Sequence, residues 1–146
     1  MNGQKISRKT ERLLMVIAGL WQIFNGVITI YVYAPYHRRA GLDLIDYSVT
    51  IIEAEAISQV FANFYMFIVI YGMIYMVIGL LLVYLSRKMT DNKVTYAIPI
   101  TALVIGLAAY FGMDIMSVVF CSLTGVLALA KNKSIKIASS YSSELE

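Results

Sequence analysis

Four stretches of the chain, residues 13–33, 64–85, 94–110 and 115–130, carry no Asp, Glu, Lys or Arg, and charged segments separate them. A helix rising about 1.5 Å per residue needs roughly 20 apolar residues to cross about 30 Å of hydrocarbon. The first two runs reach that length, and the last two reach it with their flanks included. At membrane depth no water satisfies the backbone, so only helices or a closed barrel span, and runs this uniformly apolar lack the alternation of barrel strands. The pattern therefore predicts an all-α integral membrane four-helix bundle folding as a single domain. Its parts are a basic segment at 1–12, helices at 13–33, 64–85, 94–110 and 115–130, a long loop at 34–63, a basic loop at 86–93, a tight turn at 111–114 and a tail at 131–146.

Within the long loop, Ile45, Val49, Ile52, Ala56 and Val60 recur at helical spacing. This predicts an amphipathic helix running toward or into the second span and lying as a cap on the bundle or at the interface. Pro35, followed by Arg38 and Arg39, reads as a turn with solvated charge. The Ser-rich tail from Ser134 is expected to fray.

Ten of the twelve basic residues lie in three clusters: Lys5, Arg8, Lys9 and Arg12; Arg87, Lys88 and Lys93; and Lys131, Lys133 and Lys136. Arg38 and Arg39 share the first loop with Asp43, Asp46, Glu53 and Glu55. By the positive-inside rule both termini and the middle loop face the cytoplasm, which makes residues 34–63 an extracellular helical loop between the first two spans. Composition agrees: 60% of residues are hydrophobic and 14% charged, too little charge to cover a soluble globule of 146 residues. The net charge of +3 follows from orientation and calls for membrane lipids as neighbours, with no nucleic acid. The first run is too long for a signal-peptide core and is followed by no A-x-A-like site, so it is expected to remain as a membrane anchor.

Polar residues inside the runs are the candidate functional positions. Gln22, Asn25 and Thr29 share one face of the first helix with Ala18, and Glu11 continues that face at the basic end. Tyr71 and Tyr75, one turn apart on the second helix, need partners for their hydroxyls, and Gln22 or Asn25 are the expected ones. A second group consists of small residues that let helix backbones approach: Gly19, Gly26, Gly72, Gly79, Ala102, Gly106, Ser117, Cys121 and Gly125. Gly19 and Gly26, like Gly72 and Gly79, are seven residues apart, a spacing that keeps both on nearly one face of a left-handed bundle.

No reactive constellation emerges from the sequence. Cys121 is the sole cysteine and lies within the fourth run, so it is read as a packing residue. His37 stands alone as an interfacial side chain, no metal set is expected, and no cofactor is implied. Asp114, in the turn Gly112-Met113-Asp114, is read as an N-cap of the fourth helix at the membrane edge, without a partner. A nucleophile with a positioned base, or a pair of acids, is missing, so an enzyme is not expected.

Arg8-Lys9-Thr10-Glu11 leading into Leu13, the basic middle loop before Tyr96 to Gly106, and the closing Gly125-Val126-Leu127-Ala128-Leu129-Ala130-Lys131 together resemble an uncharacterised family of small four-span membrane proteins from Gram-positive bacteria. The resemblance covers nearly the whole chain in layout and implies no reaction. Gln22, Asn25 and the acidic first loop depart from it. The sequence then reads as a non-enzymatic protein acting through helix contacts, as an accessory, regulatory or immunity-type subunit of a membrane complex or as a homo-oligomer. The alternatives are a small ion or solute channel or transporter component, and a lipid- or peptide-binding protein using the outer loop.

Overall fold

The computed structural model describes residues 6–46 and 50–143. Every regular element among them is helical: α1 (Lys9–Ile28), a single π-helical turn (Thr29–Tyr33), α2 (Ala34–Asp46), α3 (Ile51–Lys88), α4 (Ala97–Phe111) and α5 (Ile115–Ser143). Three stretches, Lys9–Ile45, Ile51–Lys88 and Ile115–Ser140, are long and apolar enough to cross a membrane, and Ala97–Phe111 is apolar but shorter. This fits a helical membrane protein.

The helix expected within the 34–63 segment is present and more extensive than expected. Residues 34–46 continue the first apolar helix and residues 51–63 open the second, so α3 alone runs for 38 residues, a rise of about 57 Å. Pro35 marks no turn. Its ring would crowd the carbonyl of Tyr31 and it has no N–H to donate, and the helix widens just before it: the Ala34 N–H bonds the Thr29 carbonyl five residues back. The π turn thus absorbs a proline that would otherwise kink or end the helix. The start of α3 is fixed by Thr50 and Glu53, whose backbone N–H groups bond each other's side chains at 3.2 and 3.3 Å, a capping box. Along the apolar stripe expected to lie as a cap on the bundle or at the interface, Ile52 is 82% and Val60 64% exposed. Val49 of that stripe lies outside the described residues. At the other end, the tail expected to fray is helical to Ser143.

The chain divides into two compact units, one of Met1–Trp21 with Ile78–Glu146 and one of Gln22–Val77. In the first, Met15, Ala18, Leu82, Met89, Ile98, Ala102, Ile105, Cys121 and Ala128 form the core. The second is a hairpin of two antiparallel helical segments. There Gly41 packs on Phe61, His37 meets the edge of Phe64 and Arg38 lies over the Tyr65 ring.

Glycines set the helix spacing in each unit. A β-carbon on Gly19 would lie 2.7 Å from the Gly79 carbonyl oxygen, and one on Gly26 would lie 2.6 Å from that of Gly72. These are backbone contacts that no side-chain rotation relieves. We expect Gly26→Ala to destabilise the protein by about 1–3 kcal/mol in mixed-micelle unfolding, while Leu20→Ala, on an exposed position, stays near neutral. A neutral Gly26→Ala would show that the backbones are not in contact.

Candidate functional site

The first helix enters the structure through a charged cluster built from all three basic segments. The backbone N–H groups of Ile6 and Arg8 donate to the side chains of Asn92 and Asp91, at 2.8 and 3.0 Å, so the connector between α3 and α4 caps the start of α1. Arg12 donates to the same Asp91 oxygen at 3.0 Å. One carboxylate therefore satisfies an orphan helix N–H and pairs with a guanidinium.

Two charged side chains of this cluster, Arg8 and Glu11, are fully buried. The Lys131 ammonium sits 2.9 Å from each oxygen of the Glu11 carboxylate. It donates to Oε2 and also to the Ser7 carbonyl, whereas Oε1 accepts no well-directed hydrogen bond. Arg8 Nη2 donates to the Lys93 carbonyl at 2.9 Å and to Asn132 Oδ1, leaving Nε and Nη1 without acceptors among the described residues. Asn132 is held in turn by Thr95, to whose carbonyl it donates at 2.7 Å and whose N–H it accepts at 3.3 Å. Sequence reading treated these cations as orientation signals and missed their pairing. The signal was present: Asn132 lies one turn beyond Ala128, on the stripe that begins at Ser117.

A second polar cluster surrounds Asp114. The expectation that it lacks a partner is wrong. Trp21 Nε1 donates to Oδ1 at 3.0 Å, Ser117 Oγ donates to Oδ2 at 2.5 Å, and the Ser117 N–H completes an N-cap at 3.2 Å. The capping role expected of Asp114 is seen, and the tie to α1 is new. Nothing in the local sequence around Trp21 announces that tie.

The polar face of α1 is only partly enclosed. Gln22 is 2% exposed with its Oε1 unpartnered among the described residues, while Asn25 and Thr29 are half-buried. Thr29 does not reach across to another helix with its hydroxyl, which donates to the Asn25 carbonyl one turn back at 2.7 Å. Tyr71 donates to the Tyr75 hydroxyl at 3.1 Å, so the two tyrosines partner each other. The nine small residues, Gly19, Gly26, Gly72, Gly79, Ala102, Gly106, Ser117, Cys121 and Gly125, are all buried. Gly106 faces Cys121, and Gly125 faces Leu103 and the Pro99 carbonyl, so α4 and α5 use their small faces on each other. Among the described residues no group of three or more His, Cys, Asp or Glu could hold a metal ion.

Comparison of the chain with family models, curated proteins and solved structures finds no match. Burial gives the charged cluster its energetic weight: removing one member of a buried ion pair typically costs about 3–5 kcal/mol, because the other charge is left uncompensated. Glu11→Ala should therefore destabilise strongly and Lys131→Met less, since its ammonium is partly exposed. The double variant should fall short of the sum by more than about 0.5 kcal/mol in a double-mutant cycle. Additive effects would mean that the two side chains do not interact.

Proposed function

We propose that this chain is a non-enzymatic plasma-membrane protein that works by contact, presenting the Gln22–Val77 hairpin to a membrane-protein partner or to a second copy. Both termini and the α3–α4 connector lie on the cytoplasmic side. The joining of three basic segments in one cluster supports that common sidedness, because Arg8, Arg12, Lys93 and Lys131 gather at one end of their unit.

The observation that carries the contact reading is the exposure of apolar side chains on the distal hairpin. Twenty or so residues of α3 counted from Lys88 cross the hydrocarbon, which leaves the segment from Ile51 to about Met66 beyond it. There Ile51 is 87% exposed, Ile52 82% and Val60 64%, and Leu42 on α2 is 55% exposed. Side chains of this kind facing water in a two-helix hairpin mark an interaction surface. The small-residue faces are already used inside the chain, so a partner engages this hairpin and not the glycine stripes. The hairpin's Glu53 and Glu55 restrict that partner to one able to place polar or basic groups beside the apolar stripe.

A photoreactive residue at Val60, activated in intact cells, should give a discrete crosslinked species, either a dimer of this chain or a complex with one membrane protein. Ile52→Asp should abolish it, and a photoreactive residue at Leu123 should not form it. A strictly monomeric protein with no adduct from residue 60 would overturn the contact reading. Ion or solute flux in liposomes containing the pure protein would replace it with the transport alternative.

A further inference from the structure

The α4–α5 hairpin carries less uncharged length than the thickness of the bilayer that α1 and α3 span, although Ile115–Ser140 as a whole, its charged end included, is long enough to cross. Its helix α4 has 15 residues, a rise of about 22 Å, and the uncharged part of α5 from Ile115 to Ala130 rises about 24 Å, against about 30 Å of hydrocarbon. The bond between Trp21 and Asp114 gives an independent measure within the same unit. It ties the hairpin tip to a point on α1 about 20 Å along the helix from Arg8, where the charged cluster marks the cytoplasmic edge.

The composition of the tip agrees with that depth. Phe111 is 79% exposed, Met113 89% and Ile115 73%, and with Tyr110 and Val118 they line a shallow apolar groove of about 450 Å³. The backbone is closed by a Schellman motif. The Asp114 N–H bonds the Ala109 carbonyl and the Met113 N–H bonds that of Tyr110, both at 3.0 Å, so the turn leaves few groups in need of water. Met113 holds the left-handed position of that motif at φ 56°, where glycine is the usual residue and a side chain costs roughly 1–2 kcal/mol. A fully exposed methionine in strained backbone fits a turn solvated by hydrocarbon far better than one solvated by water. The one charge at the tip, Asp114, accepts from Trp21 and Ser117 and so has donors of its own at that depth.

We infer that the α4–α5 hairpin ends inside the hydrocarbon of the outer leaflet, where the groove at Tyr110, Phe111, Met113, Ile115 and Val118 receives lipid acyl chains and Asp114 is an intramembrane carboxylate. This rests on the membrane reading above. It assigns α4 and α5 a re-entrant path in place of two full spans, and it moves the 111–114 turn from the outer surface to membrane depth.

Trp21 is the sole tryptophan and lies at the tip's level, so the native chain carries its own depth reporter. In liposomes its fluorescence should be lost most with lipids brominated near the ends of their acyl chains, less with bromine near the glycerol, and little with aqueous iodide. On a Cys121→Ala background, a nitroxide at Met113→Cys should collide with oxygen far more than with a water-soluble nickel chelate, and one at Leu42→Cys should do the reverse. A Met113 label as open to the chelate as the Leu42 label would place the tip in water and overturn the inference, leaving the membrane reading intact. Chelate access at Leu20→Cys and Leu123→Cys as well, with no quenching by any brominated lipid, would instead overturn the membrane reading on which it stands.

Discussion

Helix backbones come into direct contact in this molecule. Where Gly26 meets Gly72, a β-carbon on either would press against the other's carbonyl oxygen, at 2.6 Å and 3.0 Å. A β-carbon on Gly19 would likewise meet the Gly79 carbonyl oxygen, at 2.7 Å. In lipid, helices gain little from hiding apolar side chains from one another, because acyl chains are as apolar as leucine. Association then rests on dispersion contacts and polar ties that grow as backbones approach, and only glycine permits this approach. The matched seven-residue spacings let two antiparallel helices meet at glycine twice, once in each compact unit.

The polar ties do what packing alone leaves undone. A charged side chain near hydrocarbon is tolerated when it has partners or reaches the interface. The Arg8, Glu11, Arg12, Asp91, Asn132 and Lys131 cluster meets that requirement by joining the first turn of α1 to the α3–α4 connector and to α5. It also fixes the relation of α1 to the α4–α5 hairpin at one end, as Trp21 and Asp114 do at the other. Two polar contacts so far apart along one helix hold its rotation and its depth together. That is what turns the short length of α4 into a statement about where the hairpin ends.

Helix content was legible in the sequence because uncharged runs in a basic frame leave a spanning chain few alternatives. The small-residue faces were legible for a similar reason: glycine at seven-residue spacing serves one purpose in an apolar helix. What escaped was long-range. That Gly19 faces Gly79, or that Trp21 reaches Asp114, depends on helix register, which local pattern does not specify. Pro35 misled because proline reads as a break until the π turn before it is seen to take up the strain. The helix expected within residues 34–63 is present, and the capping box at Thr50 and Glu53, also in the sequence, marks its start at Ile51 as that of one long helix continuous with the second span. Arg8 and Lys131 read as orientation charges because a positive-inside count does not distinguish a solvated cation from a buried one.

The central claim is that lipid surrounds this protein and that its three basic segments lie on one side of it. Single cysteines at Ser58 and Thr90, on a Cys121→Ala background, test this directly with a membrane-impermeant thiol reagent. Labelling of residue 58 in intact cells, with residue 90 reacting only after the membrane is opened, is the predicted result. The reverse order, or equal labelling of both in a protein recovered without detergent, would contradict it.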